Sequence, residues 1–108
     1  MILYLLHFSY KDFPNHALAS NANYWLGETH YVRGNYPRAA QIFAKGYQEN
    51  PKGSKAADNL LKLSLSLEGM GKKEDACITL RQLEKEFTAD ESPIIIRARQ
   101  ELDNLGCN

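Results

Sequence analysis

Residues 19–51 read ASNANYWLGETHYVRGNYPRAAQIFAKGYQENP. Two helical patterns stand back to back in this stretch. Over 19–33, Ala22, Trp25, Leu26 and Thr29 recur at helical spacing. The pattern stops at Gly34-Asn35, a helix-ending dipeptide. A second pattern opens at Tyr36-Pro37, since proline is tolerated in a first turn. Its stripe is Ala39, Phe43, Gly46 and Tyr47. It ends in Gln48-Glu49-Asn50-Pro51, where proline lacks a donor and disfavours helix just before it. The expectation is a helix, a tight glycine turn and an antiparallel partner helix.

The same unit recurs. A step of 37 residues carries Pro14 to Pro51, Leu26 to Leu63, Gly27 to Ser64, Ala39 to Ala76, Phe43 to Leu80 and Gly46 to Leu83. The step also carries Ile2 to Ala39 and Leu6 to Phe43. The second unit is therefore Ser54 to Glu68 with Leu60, Leu63, Ser64 and Leu67, then Gly69-Met70-Gly71, then Lys73 to Phe87 with Ala76, Leu80, Leu83 and Phe87. Ser92-Pro93 reads as an N-cap with proline at the first helical position. The helix it opens carries Ile94, Ile95, Ala98, Leu102 and Leu105 and closes the array. Gly27 and Ser64 are expected where paired helices cross, facing Ala39 and Ala76, with Phe43 and Leu80 filling the space between units. No unit can bury its apolar face alone, so stacking buries it.

The boundaries that follow are 1–13 for the second helix of a truncated first repeat, 17–50 and 54–88 for two repeats, and 92–106 for the closing helix, together one domain of about six helices. Met1 to Phe8 (MILYLLHF) lacks the basic start and the small-residue cleavage site of a secretory leader, and reads as part of an amphipathic helix. Composition narrows the function. The 108 residues hold 13 Lys plus Arg and 13 Asp plus Glu, a formal charge of zero. That argues against a nucleic-acid or anionic-membrane binder, which needs a basic footprint. No apolar run approaches the roughly 20 residues that span a bilayer, so no membrane insertion is expected.

Leu26-Gly27, Ala39, Phe43 and Pro51 together resemble the tetratricopeptide repeat. Asn23 stands where that repeat usually has an aromatic, His30 where it has tyrosine, and Thr88 where the second repeat would have proline. A narrower resemblance lies in residues 21–31 (NANYWLGETHY), followed by Gly34-Asn35-Tyr36, in residues 51–63 (PKGSKAADNLLKL), and in residues 71–77 (GKKEDAC). These segments, covering about residues 12–88, resemble the C-terminal domain of the YbgF/CpoB family of Tol–Pal system proteins and cell division coordinators.

The resemblance implies an all-α tetratricopeptide right-handed superhelix of antiparallel helix pairs. It also implies a periplasmic, non-catalytic domain that coordinates outer-membrane constriction with septal peptidoglycan synthesis. The implied partners are a TolA-like protein and a bifunctional peptidoglycan synthase. Full-length members trimerise through an N-terminal coiled coil and carry a signal peptide. Neither is in this sequence, so the chain reads as the C-terminal part of a longer protein. The alternative is another periplasmic or cytosolic adaptor or assembly-machine subunit built from the same repeat.

In such arrays the first helix of each pair lines a concave face. The positions expected there are Asn21, Tyr24, Glu28 and Tyr31 in one unit and Asp58, Leu61, Leu65 and Glu68 in the next. Tyrosine combines contact area with a polar tip. Glu28, Asp58 and Glu68 would make the groove acidic and suited to a basic or amphipathic helix. The same acids would repel a partner's C-terminal carboxylate. The other reading is that Tyr24 and Tyr31 pack against a preceding helix and that the charges form a solvated face.

No catalytic constellation, metal set or cofactor motif is present. His7, His16 and His30 fall in no H-E-x-x-H pattern, and there is neither C-x-x-C nor a glycine-rich phosphate loop. An enzyme built on Cys77 would need a histidine that nothing in the sequence places beside it. In an oxidising periplasm Cys77 and Cys107 are candidates for a disulfide. The end of the chain need not meet the geometry of that bond, so the expectation is two free thiols.

Overall fold

The computed structural model describes residues 17–87 and 92–107. Among these residues there are five α-helices and no strand: α1 (Ala17–Val32), α2 (Tyr36–Glu49), α3 (Ala56–Gly69), α4 (Lys73–Glu86) and α5 (Pro93–Leu105). The helix expected over residues 1–13, which would be the sixth, lies outside the described residues, as does Thr88.

Each helix packs on the next in sequence, and α1 also touches α3 while α3 touches α5. One layer is therefore α1, α3 and α5, and the other is α2 and α4. The dimensions, 46 × 32 × 19 Å, are those of a stacked slab rather than a closed bundle. This is an all-helical array of adjacent pairs of the tetratricopeptide kind.

The turns show why the pairs form. Gly34, Gly71 and Gly106 have φ of 78°, 78° and 70°, the left-handed region that only glycine enters without strain. Each follows a helix of the first layer. Gly34 N donates to Tyr31 O and Asn35 N to His30 O; Gly71 N to Glu68 O and Lys72 N to Leu67 O; Gly106 N to Asp103 O and Cys107 N to Leu102 O. All three are Schellman closures, which satisfy the last carbonyls and reverse the chain at once. Ser92 is extended and Pro93 opens α5.

Ala39, Phe43, Ala76, Leu80, Leu83, Ile95 and Ala98 are buried, with Leu60, Leu61 and Leu65 beside them. Gly27 is matched to Phe43 rather than to Ala39, because a Cβ on it would stand 2.6 Å from the Phe43 ring. Asn23 sits well without an aromatic ring. Its amide donates to the Ile42 carbonyl at 3.2 Å, and Asn23 and Asn59 both close on Gly46, where α1, α2 and α3 meet. Tyr47 on α2 donates to Glu86 on α4 and accepts from Gln82 at 3.2 Å, which ties the outer layer together.

Two further expectations are corrected. The helical pattern of Ala22, Trp25, Leu26 and Thr29 is not the buried stripe of α1: Trp25 and Leu26 are 57% and 48% exposed and Thr29 is exposed. The buried residues of that helix are Tyr24 and Gly27. The Phe43 ring fits only over a residue without a side chain, and this turns α1 so that Gly27 faces inward and Trp25 outward.

The cysteines are not free. Cys77 and Cys107 form a disulfide with Cα atoms 5.6 Å apart. The expectation failed because the chain end does not fray. The Schellman closure at Gly106 folds Cys107 back over the last turn of α5. Cys77 is buried on α4, against which α5 packs.

Candidate functional site

The exposed side of the α1–α3–α5 layer carries a row of alternating rings and charges. At one end, Tyr24 lies edge-on to Trp25, with centroids 5.2 Å apart, and tilted against Phe43 at 5.7 Å. The Lys55 ammonium stands over both rings, 4.7 Å from Tyr24 and 5.7 Å from Trp25. In the middle, Glu28 of α1 pairs with Lys62 of α3 at 3.0 Å, and the same ammonium lies 4.9 Å from the Tyr31 ring. Tyr31 meets Tyr36 edge-on at 5.5 Å.

At the far end the row opens into a cleft of about 330 Å³ lined by Tyr31, Tyr36, Leu65, Glu68, Gly69, Arg97 and Glu101. Helix periodicity builds it. Arg97 and Glu101 are one turn apart on α5 and pair at 3.1 Å. Leu65 and Glu68 come from the last turns of α3. Gly69 lets the Tyr36 ring lie flat on the helix end, since a Cβ there would stand 2.6 Å from it. The Glu68 carboxyl titrates above its ordinary value. Burial contributes most, Glu101 adds to the shift, and Arg97 partly opposes it. Tyr31 also titrates high, mainly through burial, then through Tyr36, Glu68 and Glu28, with Arg97 acting the other way.

The residues expected on the concave face divide. Glu28, Tyr31, Asp58 and Asn21 are half-buried and Glu68 is exposed. Tyr24, Leu61 and Leu65 are buried, so they are framework more than contact surface, although Leu65 forms part of the cleft floor. Tyr24 packs on Phe43 within its own unit; the preceding helix it was alternatively expected to meet lies outside the described residues.

The groove is also less acidic than its carboxylates suggested. Lys62 neutralises Glu28 and Arg97 neutralises Glu101. Lys55, Lys62, Tyr36, Arg97 and Glu101 were missed. The lysines had a signal: Lys55, Asp58, Lys62 and Leu65 follow at three- and four-residue steps, so they share a face of α3. Arg97 and Glu101 had the same kind of signal, a four-residue step that puts them on one face of α5, but nothing local places that face beside Glu68 and Tyr36. Among the described residues no group of His, Cys, Asp and Glu is arranged to hold a metal ion, and no helix is long and apolar enough to cross a membrane.

A tetratricopeptide repeat family model matches residues 58–88, which is α3 from its first turn through the end of α4. No curated protein matches the chain. The repeat is a protein-interaction module, generally non-catalytic.

Proposed function

We propose that the chain is a recognition domain whose α1–α3–α5 face holds a segment of another polypeptide. The observation that carries this reading is the stacked face itself: rings and charges aligned across three helices, with a cleft at one end. Tyr31, Glu68, Trp25 and Lys55 are the contact residues. Large rings with polar neighbours give contact area at low entropic cost.

The finer reading is a C-terminal domain of the YbgF/CpoB kind, working in the periplasm and linking outer-membrane constriction to septal wall synthesis. The segments at 21–31, 51–63 and 71–77 support it. The Cys77–Cys107 disulfide supports a compartment that permits such bonds. A TolA-like protein and a bifunctional peptidoglycan synthase are its partners in this reading. The test is calorimetric titration of the chain with the purified periplasmic regions of both, encoded in the same genome. Saturable binding weakened by Tyr31→Ala and Trp25→Ala supports the reading. Absence of heat with both proteins removes the envelope assignment and favours another adaptor. Binding that neither substitution changes removes the proposed face.

A further inference from the structure

The cleft at the end of the row differs from the rest of the face. Along the row two carboxylates each have their own cation, Glu28 with Lys62 and Glu101 with Arg97. Glu68 has no such partner among the described residues, although it borders the same cleft as Glu101 and Arg97. The cleft therefore holds two carboxylates and one guanidinium. Its remaining walls are two phenol rings, the Leu65 side chain and the bare backbone of Gly69.

We infer that this cleft receives the guanidinium of an arginine side chain carried by the partner segment, with Glu68 as its counter-ion and the Tyr36 and Tyr31 rings as its walls. The inference rests on the recognition role proposed above and names the side chain that the face selects. Three features favour arginine. A planar guanidinium can stack on a phenol ring while its edge pairs with a carboxylate. The unpaired carboxylate stands at the rim, where a long side chain can reach it from outside. An incoming anion would meet Glu68 and Glu101 against Arg97 alone, and Arg97 is already engaged. A compact ammonium would satisfy Glu68 but leave the ring walls poorly filled.

The Glu68 carboxyl supports this assignment. Its pKa is raised because it is partly desolvated and lies near Glu101, so the site disfavours the anion until a cation arrives.

The test is a set of nuclear magnetic resonance titrations of the isotope-labelled chain at low ionic strength, where exposed charges are least screened. The probes are N-acetyl-arginine methylamide, its neutral isostere N-acetyl-citrulline methylamide and the lysine analogue. The expected result is saturable shifts of the amides at 65–69 and 97–101 with the arginine probe, weak shifts with lysine and none with citrulline. Glu68→Gln, an exposed substitution, should weaken the arginine response by about fivefold or more, the scale of one charge-assisted hydrogen bond. Equal response to citrulline, equal affinity for lysine, or an unchanged Glu68→Gln variant would overturn the assignment. A partner protein that binds the face regardless of Glu68→Gln removes this cleft and leaves the recognition role standing. An arginine probe that saturates while no partner binds does the reverse.

Discussion

Gly27 of α1 lies directly against the Phe43 ring of α2. A Cβ on Gly27 would lie 2.6 Å from Cε1 and 2.8 Å from Cζ of a ring that is wholly buried. The contact brings α1 down on α2 and sets which residues of α1 point inward. Gly27→Ala gains helix propensity of up to about 1 kcal/mol, but overpacking against an immobile ring costs about 1–3 kcal/mol. The packing loss is expected to win because the ring is fully buried and a Cβ would meet three of its atoms at 2.6–2.9 Å. Thermal unfolding should show a lower midpoint, and the Gly27→Ala, Phe43→Leu pair should recover part of it. An unchanged or raised midpoint in Gly27→Ala would refute the argument.

The disulfide closes a loop of 30 residues and ties the end of α5 to α4. Removing a cross-link of this span should cost about 2–4 kcal/mol. Cys77→Ser with Cys107→Ser, or reduction of the wild type, should lower the denaturant midpoint and open α5 first in hydrogen exchange. Since Arg97 and Glu101 ride on α5, the same change should weaken anything that depends on the cleft. Uniform loss of protection in all five helices would show that α5 has no separate role.

Tyr24 ionises only at about 12, pushed up first by burial and then by the carboxylates of Asp58 and Glu28. Its unfolded value is 10.0. Between these two values the unfolded chain gives up the proton while the native chain keeps it, so stability falls as pH rises through that window. Tyr24→Phe should flatten part of the alkaline decline. Tyr31 and Tyr47 also titrate high, so a residual slope remains. An alkaline profile identical to that of the wild type would contradict the burial of this phenol.

The Glu28–Lys62 pair joins α1 to α3 with side chains 24% and 21% exposed. Such a pair lies between the surface limit of about 0–1 kcal/mol and the buried limit of several. Lys62→Met strands the carboxylate and should cost about 1–2 kcal/mol, most of it regained in the Lys62→Met, Glu28→Gln double variant. Equal stability of the single and double variants would mean that the stacking of α1 on α3 owes nothing to this charge pair.

Much of the fold is written in local signals. Gly34 and Gly71 stand 37 residues apart, the same step as Ala39 to Ala76 and Phe43 to Leu80. A glycine that ends a helix with positive φ, and a small residue where helices cross, each act within a few residues of themselves. Helix, turn and helix could therefore be read from one chain without its neighbours. The closing helix was legible for the same reason, through Ser92-Pro93 and the stripe of Ile95 and Ala98.

The rest depended on residues brought together from afar. Periodicity locates an apolar stripe along a helix but leaves its rotation open by one or two positions. The Phe43 ring against Gly27 decided that rotation, burying Tyr24 and exposing Trp25. Lys62 meets Glu28 across 34 positions and Cys107 meets Cys77 across 30. Which charges are neutralised and which thiols are joined are properties of side-chain distance, and only the stacking of the helices sets those distances. The helices themselves needed no more than local sequence, whereas the character of the face they present was decided by how they pack.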